Sequence, residues 1–371
     1  MEIAIGSKYL VADATVAVDK TGQEHLLIVA KGSWQFGPGF VRPIPAMPIQ
    51  HSDLYAGKAG LSATLYESDF VLHKPRCDVL FAAQAYAPNG QAVRELLAGY
   101  QIGTQQKVLR VHGPRRWQGD PPAPGQAEPF HVMPLHYGYA FGGSRLLANT
   151  GQSEIYAANP LGSGFCTDPA AAHDLDMQSL EAHQQPVTRP DQPYAPMALS
   201  VLGRNCLPRR LLAGTYDAAW KQDVFPFLPE DFDSRFYQAA PEDQQIDYPQ
   251  GGEEVVLWHL TSGHPEIRFK LPKLNKAPVR ILMRDFSVHQ PPVVADTLFF
   301  EPDQSRFTVV WRSSLPLKRR IQDVKTVAIA GICKNWWDAK TMGLDACASC
   351  DKQRSTQDAA PGEEECNEET A

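Results

Sequence analysis

Excess charge of either sign is scarce in most of this sequence. Its 371 residues carry 35 Lys and Arg against 42 Asp and Glu, a formal −7. Seven acids and two bases fall between Asp351 and Ala371, so that stretch holds −5 of the −7 and the remainder only −2. A near-neutral body exerts no net pull on a polyanion, so nucleic acid is not an expected partner. The one basic run, LPLKRR at 315–320, reads as a solvated face. Also missing is any run of about 18 uncharged apolar residues, the least that spans a bilayer as a helix. The start, MEIAIGSKYLVADATVAVDK, has neither a basic n-region nor an apolar h-region. No membrane insertion and a cytoplasmic location are therefore expected.

The phosphate-cradling patterns GxxxxGK[ST] and GxGxxG are absent, as are the zincin HExxH and the nucleophile elbow GxSxG. The glycines of NPLGSGF at 159–165 follow a turn-forming Asn-Pro and read as a structural loop. Seven cysteines are an odd number and are scattered, a poor disulfide framework, so reduced thiols are expected. Cys347 and Cys350 form a CxxC, but no second pair follows to complete a four-ligand zinc site. His112, His131 and His136 share no ligand spacing. Asp231 and Asp233, alternate residues of LPEDFDSRF, would place two carboxylates on one side of an extended segment, as acid/base or metal chemistry requires. Helix capping is the plainer account. No catalytic residue, metal or cofactor is thus expected, and the rival reading is a β-sandwich hydrolase or secreted effector using that pair.

What is present is strand. Proline is abundant, 31 of 371, which favours short strands and long loops over helices. Segments rich in β-branched and aromatic residues recur: HLLIVAKGSWQF ending at Phe36, DVLFAAQAY from Asp78, KVLRVHG from Lys107, EVVLWHL from Glu254, EIRFKL from Glu266, VRILM from Val279 and RFTVVWR ending at Arg312. Turn signals at 19–24, 87–91, 261–266 and 301–306 separate them. The spacing predicts consecutive antiparallel hairpins in a sandwich or barrel-like body rather than βαβ units. Two short helices are expected, over QAVRELLAGY at 91–100 and within PEDFDSRFYQAAPEDQ, while 321–340 reads equally as strand or helix. Trp34, Trp117, Trp220, Trp258 and Trp311 read as core. The expected organisation is a mainly β body over 1–345 with long Pro-rich loops and a disordered acidic tail over 346–371. A lobe boundary, if the body has two lobes, would fall near 113–130 or 184–197.

From Tyr66 onward, YESDFVLHKPRCDVLFAAQAYAPNG is followed in order by VLRVHGPRRW, PFHVMPLHYGYAFGG, NPLGSGF, AGTYDAAW, FPFLPEDFDSRFYQAAPEDQ, GGEEVVLWHL and DTLFFEPDQSRFTVVWR. Over residues 8 to 312 this succession resembles the bacterial type VI secretion accessory proteins of domain-of-unknown-function family 2169. It departs from the family pattern at 175–212. The resemblance implies an adaptor that holds a secreted effector protein and helps place it on a VgrG or PAAR spike component, with no catalytic residue. It also implies partner binding by residues of the motif blocks: Lys74, Arg76, Asp78, Arg116, Trp117, Tyr137, Tyr216, Asp217, Trp220, Asp231 and Asp233.

Overall fold

The computed structural model describes residues 1–147, 151–275, 277–318 and 320–344. The acidic tail and the Cys347/Cys350 pair lie outside the described residues. The chain is mainly β, and its two largest sheets pack as a sandwich. The longest strand, Glu24–Gly37, carries Leu26, Ile28, Ala30 and Phe36 on one face and Leu27, Val29 and Lys31 on the other. Both faces are buried, which explains a near-continuous apolar run instead of clean alternation. This strand lies between Arg306–Pro316 on one edge and both Leu10–Val18 and Phe40–Ile44 on the other. Val294–Glu301, Cys77–Phe81 and Gln245–Ile246 complete a seven-stranded sheet.

The opposing sheet runs Leu180–Ala182, Gln105–His112, Glu95–Ile102, Glu254–Thr261, His264–Lys270. Aromatic rings bridge the two sheets. Phe36 stacks on Phe269 at 4.7 Å and Phe81 meets Tyr100 at 4.7 Å. Burying each such side chain is worth about 1.5–3 kcal/mol. A four-stranded sheet, in the order Glu2–Ile5, Val324–Ile329, Val279–Met283, Val288–His289, shares this core through Val279, Ile281, Val327 and Ile329.

Of the expected turns, those at 19–24, 261–266 and 301–306 close hairpins over 10–37, 254–270 and 294–316, whereas 87–91 joins strands of different sheets; a hairpin over 95–112, which the sequence reading did not expect, is also present. Parallel pairings also occur, of Glu2–Ile5 with Val324–Ile329 and of Cys77–Phe81 with Val294–Glu301. Each joins strands far apart in sequence, which local spacing does not reveal. The two main sheets keep open edges, so the body is not a closed barrel.

Both expected helices are corrected. Residues 95–102 form a strand because Ala98, Tyr100 and Ile102 alternate toward the core, a period continuing past the point where the helical pattern stops. Gly99 fits there and no larger residue would, since a Cβ would stand 2.2 Å from the Lys107 carbonyl oxygen. The PEDFDSRFYQAAPEDQ segment holds two 3₁₀ turns, Ser234–Tyr237 and Glu242–Gln244, with Pro241 between them. The ambiguous 321–340 segment divides into the strand Val324–Ile329 and the helix Lys334–Thr341, whose Trp336 and Trp337 pack on Ala4, Leu282 and Ala328. Trp117 and Trp311 are core, whereas Trp34, Trp220 and Trp258 are half-buried.

Candidate functional site

Outward-facing residues of the seven-stranded sheet are covered by loops, and the cover is held by ion pairs. Asp78 is fully buried and accepts from Lys74 Nζ at 2.7 Å, Gln238 Nε2 at 2.6 Å and the backbone N–H groups of Ala239 and Ala240. Lys74 also donates to Thr297 Oγ1 at 3.0 Å. Nearby, Lys31 pairs with Asp69 at 2.7 Å, Arg312 with Asp296, and Arg209 with Glu67. A cavity of about 210 Å³ lies among these groups. Each of these cations has its own carboxylate, so the cavity presents no unmatched charge.

Burial opposes ionisation of Glu67, but the Arg209 charge and hydrogen bonds outweigh it and hold the carboxyl below its usual value. At Glu301 burial is likewise outweighed by hydrogen bonds from Arg306 and Tyr66. The same carboxylate and burial push the Tyr66 hydroxyl well above its ordinary value.

Trp117 is fully buried in a second, smaller core with Phe141, Cys166 and Tyr194, and its indole N–H donates to the Gly164 carbonyl at 2.8 Å. Both Pro-rich stretches feed this core, Trp117 from one and Val187 and Tyr194 from the other. Tyr137 is buried in the main core. Beside it, Asn159 donates to the carbonyls of Tyr137 and Phe141, at 2.8 and 3.1 Å. A Cβ on Gly142, at φ +146°, would lie 2.1 Å from the Asn159 carbonyl oxygen. The AFGG and NPLGSGF blocks therefore form one close-packed loop crossing, the structural role their turn chemistry indicates. Met177, Leu180 and Leu199 place the 175–212 segment in both cores.

Lys74, Asp78, Trp117 and Tyr137 are thus internal, where their side chains hold the fold. Arg76 and Arg116 are exposed and pair with Asp247 at 3.3 Å and Asp176 at 2.9 Å. Only the last group of motif residues gathers at the surface. Between Leu211 and Asp233 the chain forms a projection in which Tyr216 meets Trp220 edge-on at 4.7 Å and Trp220 meets Phe225 at 5.6 Å. Leu211, Tyr216, Phe225 and Phe227 are 70, 53, 65 and 46% exposed.

Local hydrogen bonds shape this projection. Asp217 caps the short helix Ala218–Asp223 by accepting from Trp220 N at 2.8 Å, and the Trp220 indole N–H donates to the Phe227 carbonyl at 3.0 Å. Asp231 reaches back to accept from Thr215 N at 2.9 Å and Thr215 Oγ1 at 2.8 Å. Asp233 caps the Ser234–Tyr237 turn through Arg235 N at 2.9 Å and pairs with the Arg235 guanidinium at 2.7 Å. The two carboxylates therefore bind separate donors, and Asp231 is a cross-link between two blocks and not the helix cap its position suggested. Gly214, at φ +84°, passes so close to Asp231 and Pro229 that a Cβ would lie 2.8 Å from each. Sequence reasoning missed Leu211, Phe225 and Phe227, although FPF, two aromatics flanking a proline, was the available signal.

Fold and site together define a β-sandwich scaffold that displays a braced aromatic projection. Residues 21–312 match the family model described as uncharacterized protein conserved in bacteria (DUF2169), and the chain belongs to that family. No curated protein and no solved structure matches it. Among the described residues there is no group of His, Cys, Asp and Glu arranged to hold a metal ion, and no helix is long and apolar enough to cross a membrane.

Proposed function

We propose that the protein is a cytoplasmic type VI secretion accessory protein, an adaptor that holds an effector and helps load it onto a VgrG or PAAR spike component. One observation carries this reading: four large apolar side chains stand in solvent on a single short segment that its own hydrogen bonds keep in shape. Rigid aromatic anchors lose little conformational freedom on binding and dominate interface energetics. Isolated exposed apolar residues are ordinary on a protein surface, whereas a contiguous patch marks an interaction site. In this reading the partner is the effector that the resemblance implies.

The testing experiment is co-expression with the effector encoded beside this protein, followed by affinity capture. A soluble complex is expected, and loading of that effector onto VgrG or PAAR should fail without the adaptor. An effector equally soluble alone and loaded unaided removes the adaptor reading.

A further inference from the structure

The aromatic projection packs against one end of the Glu24–Gly37 strand, where Gly22 sits beneath Phe227. At the other end, roughly 30 Å along the strand from Glu24 to Trp34, the mouth of the sandwich is open. A groove of about 830 Å³ lies there between the edge strands His264–Lys270 and Phe40–Ile44. Its floor is aromatic: Trp34 stacks on Phe307 at 5.5 Å and meets Trp311 edge-on at 5.9 Å, with Phe269 alongside. Gly32 makes that floor possible, because a Cβ there would lie 2.9 Å from Leu10 and 3.0 Å from Trp34.

Two features define what the groove accepts. First, among the described residues His264–Lys270 pairs only with Glu254–Thr261, so its outer side has no strand partner. Gly39 N–H reaches that side at one point, donating to the Arg268 carbonyl at 3.0 Å. Second, side chains alternate along this edge: Ile267 and Phe269 turn inward, while Arg268 and Lys270 turn to solvent. Lys273 lies on the same rim. Arg268 pairs with Glu266 at 2.5 Å, but neither Lys270 nor Lys273 has a carboxylate within 4.0 Å among the described residues. Glu254 also lines the groove, 3.9 Å from Arg268, so Arg268, Lys270 and Lys273 face two carboxylates, Glu254 and Glu266, and the rim keeps one net positive charge in a body that is close to neutral.

We propose that this groove binds an extended segment of a partner protein in which apolar and acidic residues alternate. Such a segment lies extended along the groove, its backbone meeting the open edge at Lys270, beyond the point that Gly39 occupies. Because side chains alternate with a period of two, one set falls on the Trp34 and Phe269 floor while the other stands beside Arg268, Lys270 and Lys273. A basic segment would set like charges side by side. The site stands on the groove alone and does not depend on the identity of any protein held by the aromatic projection.

The test uses the full chain and a short capped peptide of alternating valine and glutamate, with a valine-lysine peptide as control, read by calorimetry and by tryptophan fluorescence. Saturable binding of the glutamate peptide alone is expected, weakened about tenfold or more by Lys270→Glu with Lys273→Glu. An unchanged melting temperature shows that this double variant is folded. No saturable binding, equal binding of the lysine peptide, or an affinity unchanged in the folded double variant overturns the proposal. So does a wild-type dimer, seen by sedimentation, that the same variant dissociates, since the groove's occupant is then a second copy of this chain.

Discussion

Lys74 and Asp78 meet at 2.7 Å on the covered face of the seven-stranded sheet, with side-chain exposures of 7% and 0%. Four residues apart in sequence, they tie the loop before the Cys77–Phe81 strand to the strand itself, and Asp78 also receives the backbone of Ala239 and Ala240. Replacing Asp78 by alanine leaves a buried ammonium without its carboxylate, and such a break costs about 3–5 kcal/mol. Urea unfolding of Asp78→Ala should show a lower midpoint at unchanged slope. An unaltered midpoint contradicts the structural role assigned to the pair.

Asp231 and Asp233 brace the projection by different means. Asp233→Ala should lower stability by about 0.5–2 kcal/mol through loss of a cap. Asp231→Ala should chiefly loosen the join between Thr215 and the segment 229–233, seen as faster amide exchange at Thr215 and new protease cleavage between 211 and 229. The double variant should melt earlier without losing any intrinsic turnover. Unchanged melting together with a lost hydrolytic activity would favour the enzyme reading instead.

The exposed rings should matter for binding and not for folding. Phe225→Ser combined with Tyr216→Ser should leave the melting temperature nearly unchanged, because both side chains are more than half exposed. Capture of the effector should fall by about thirtyfold or more, the scale of a lost hot spot. Full capture by the folded double variant assigns binding to another face.

Stability should decline in acid. Glu67 and Glu301 have folded-state values below the ordinary 4.5, so the unfolded chain takes up protons first as pH falls. Their contribution is fully present above about pH 4.5 and is lost as pH drops through the lower folded values. Melting temperature should therefore be flat in these groups from pH 7 to 5 and fall below about 4.5. Glu301→Gln should flatten that fall. An equally steep decline in the variant shows that other groups govern it.

Much of the fold was legible because strand-forming segments and turns are local signals. HLLIVAKGSWQF and RFTVVWR are runs of β-branched and aromatic residues, and both are strands paired to each other. The helix expected at 91–100 failed because Val93, Leu96 and Leu97 fit a helical face as well as a strand. Pairing on both sides, with Gln105–His112 and Glu254–Thr261, decided for the strand. The site was legible only in part. Tyr216, Asp217, Trp220, Asp231 and Asp233 do gather at one place, but Lys74, Asp78, Trp117 and Tyr137 belong to the interior, and a motif does not state which way its side chains turn.

The sequence by itself determined the mainly β class, the hairpin turns and the structural character of the NPLGSGF loop, since each depends on backbone preferences within a few residues. Tertiary structure alone decided the parallel pairing of Cys77–Phe81 with Val294–Glu301, the burial of Lys74 against Asp78, and the exposure of Phe225 beside Trp220. Those outcomes depend on which surfaces lose water when residues far apart in the chain pack together, and a charged or aromatic side chain carries the same local signal on either side of that boundary.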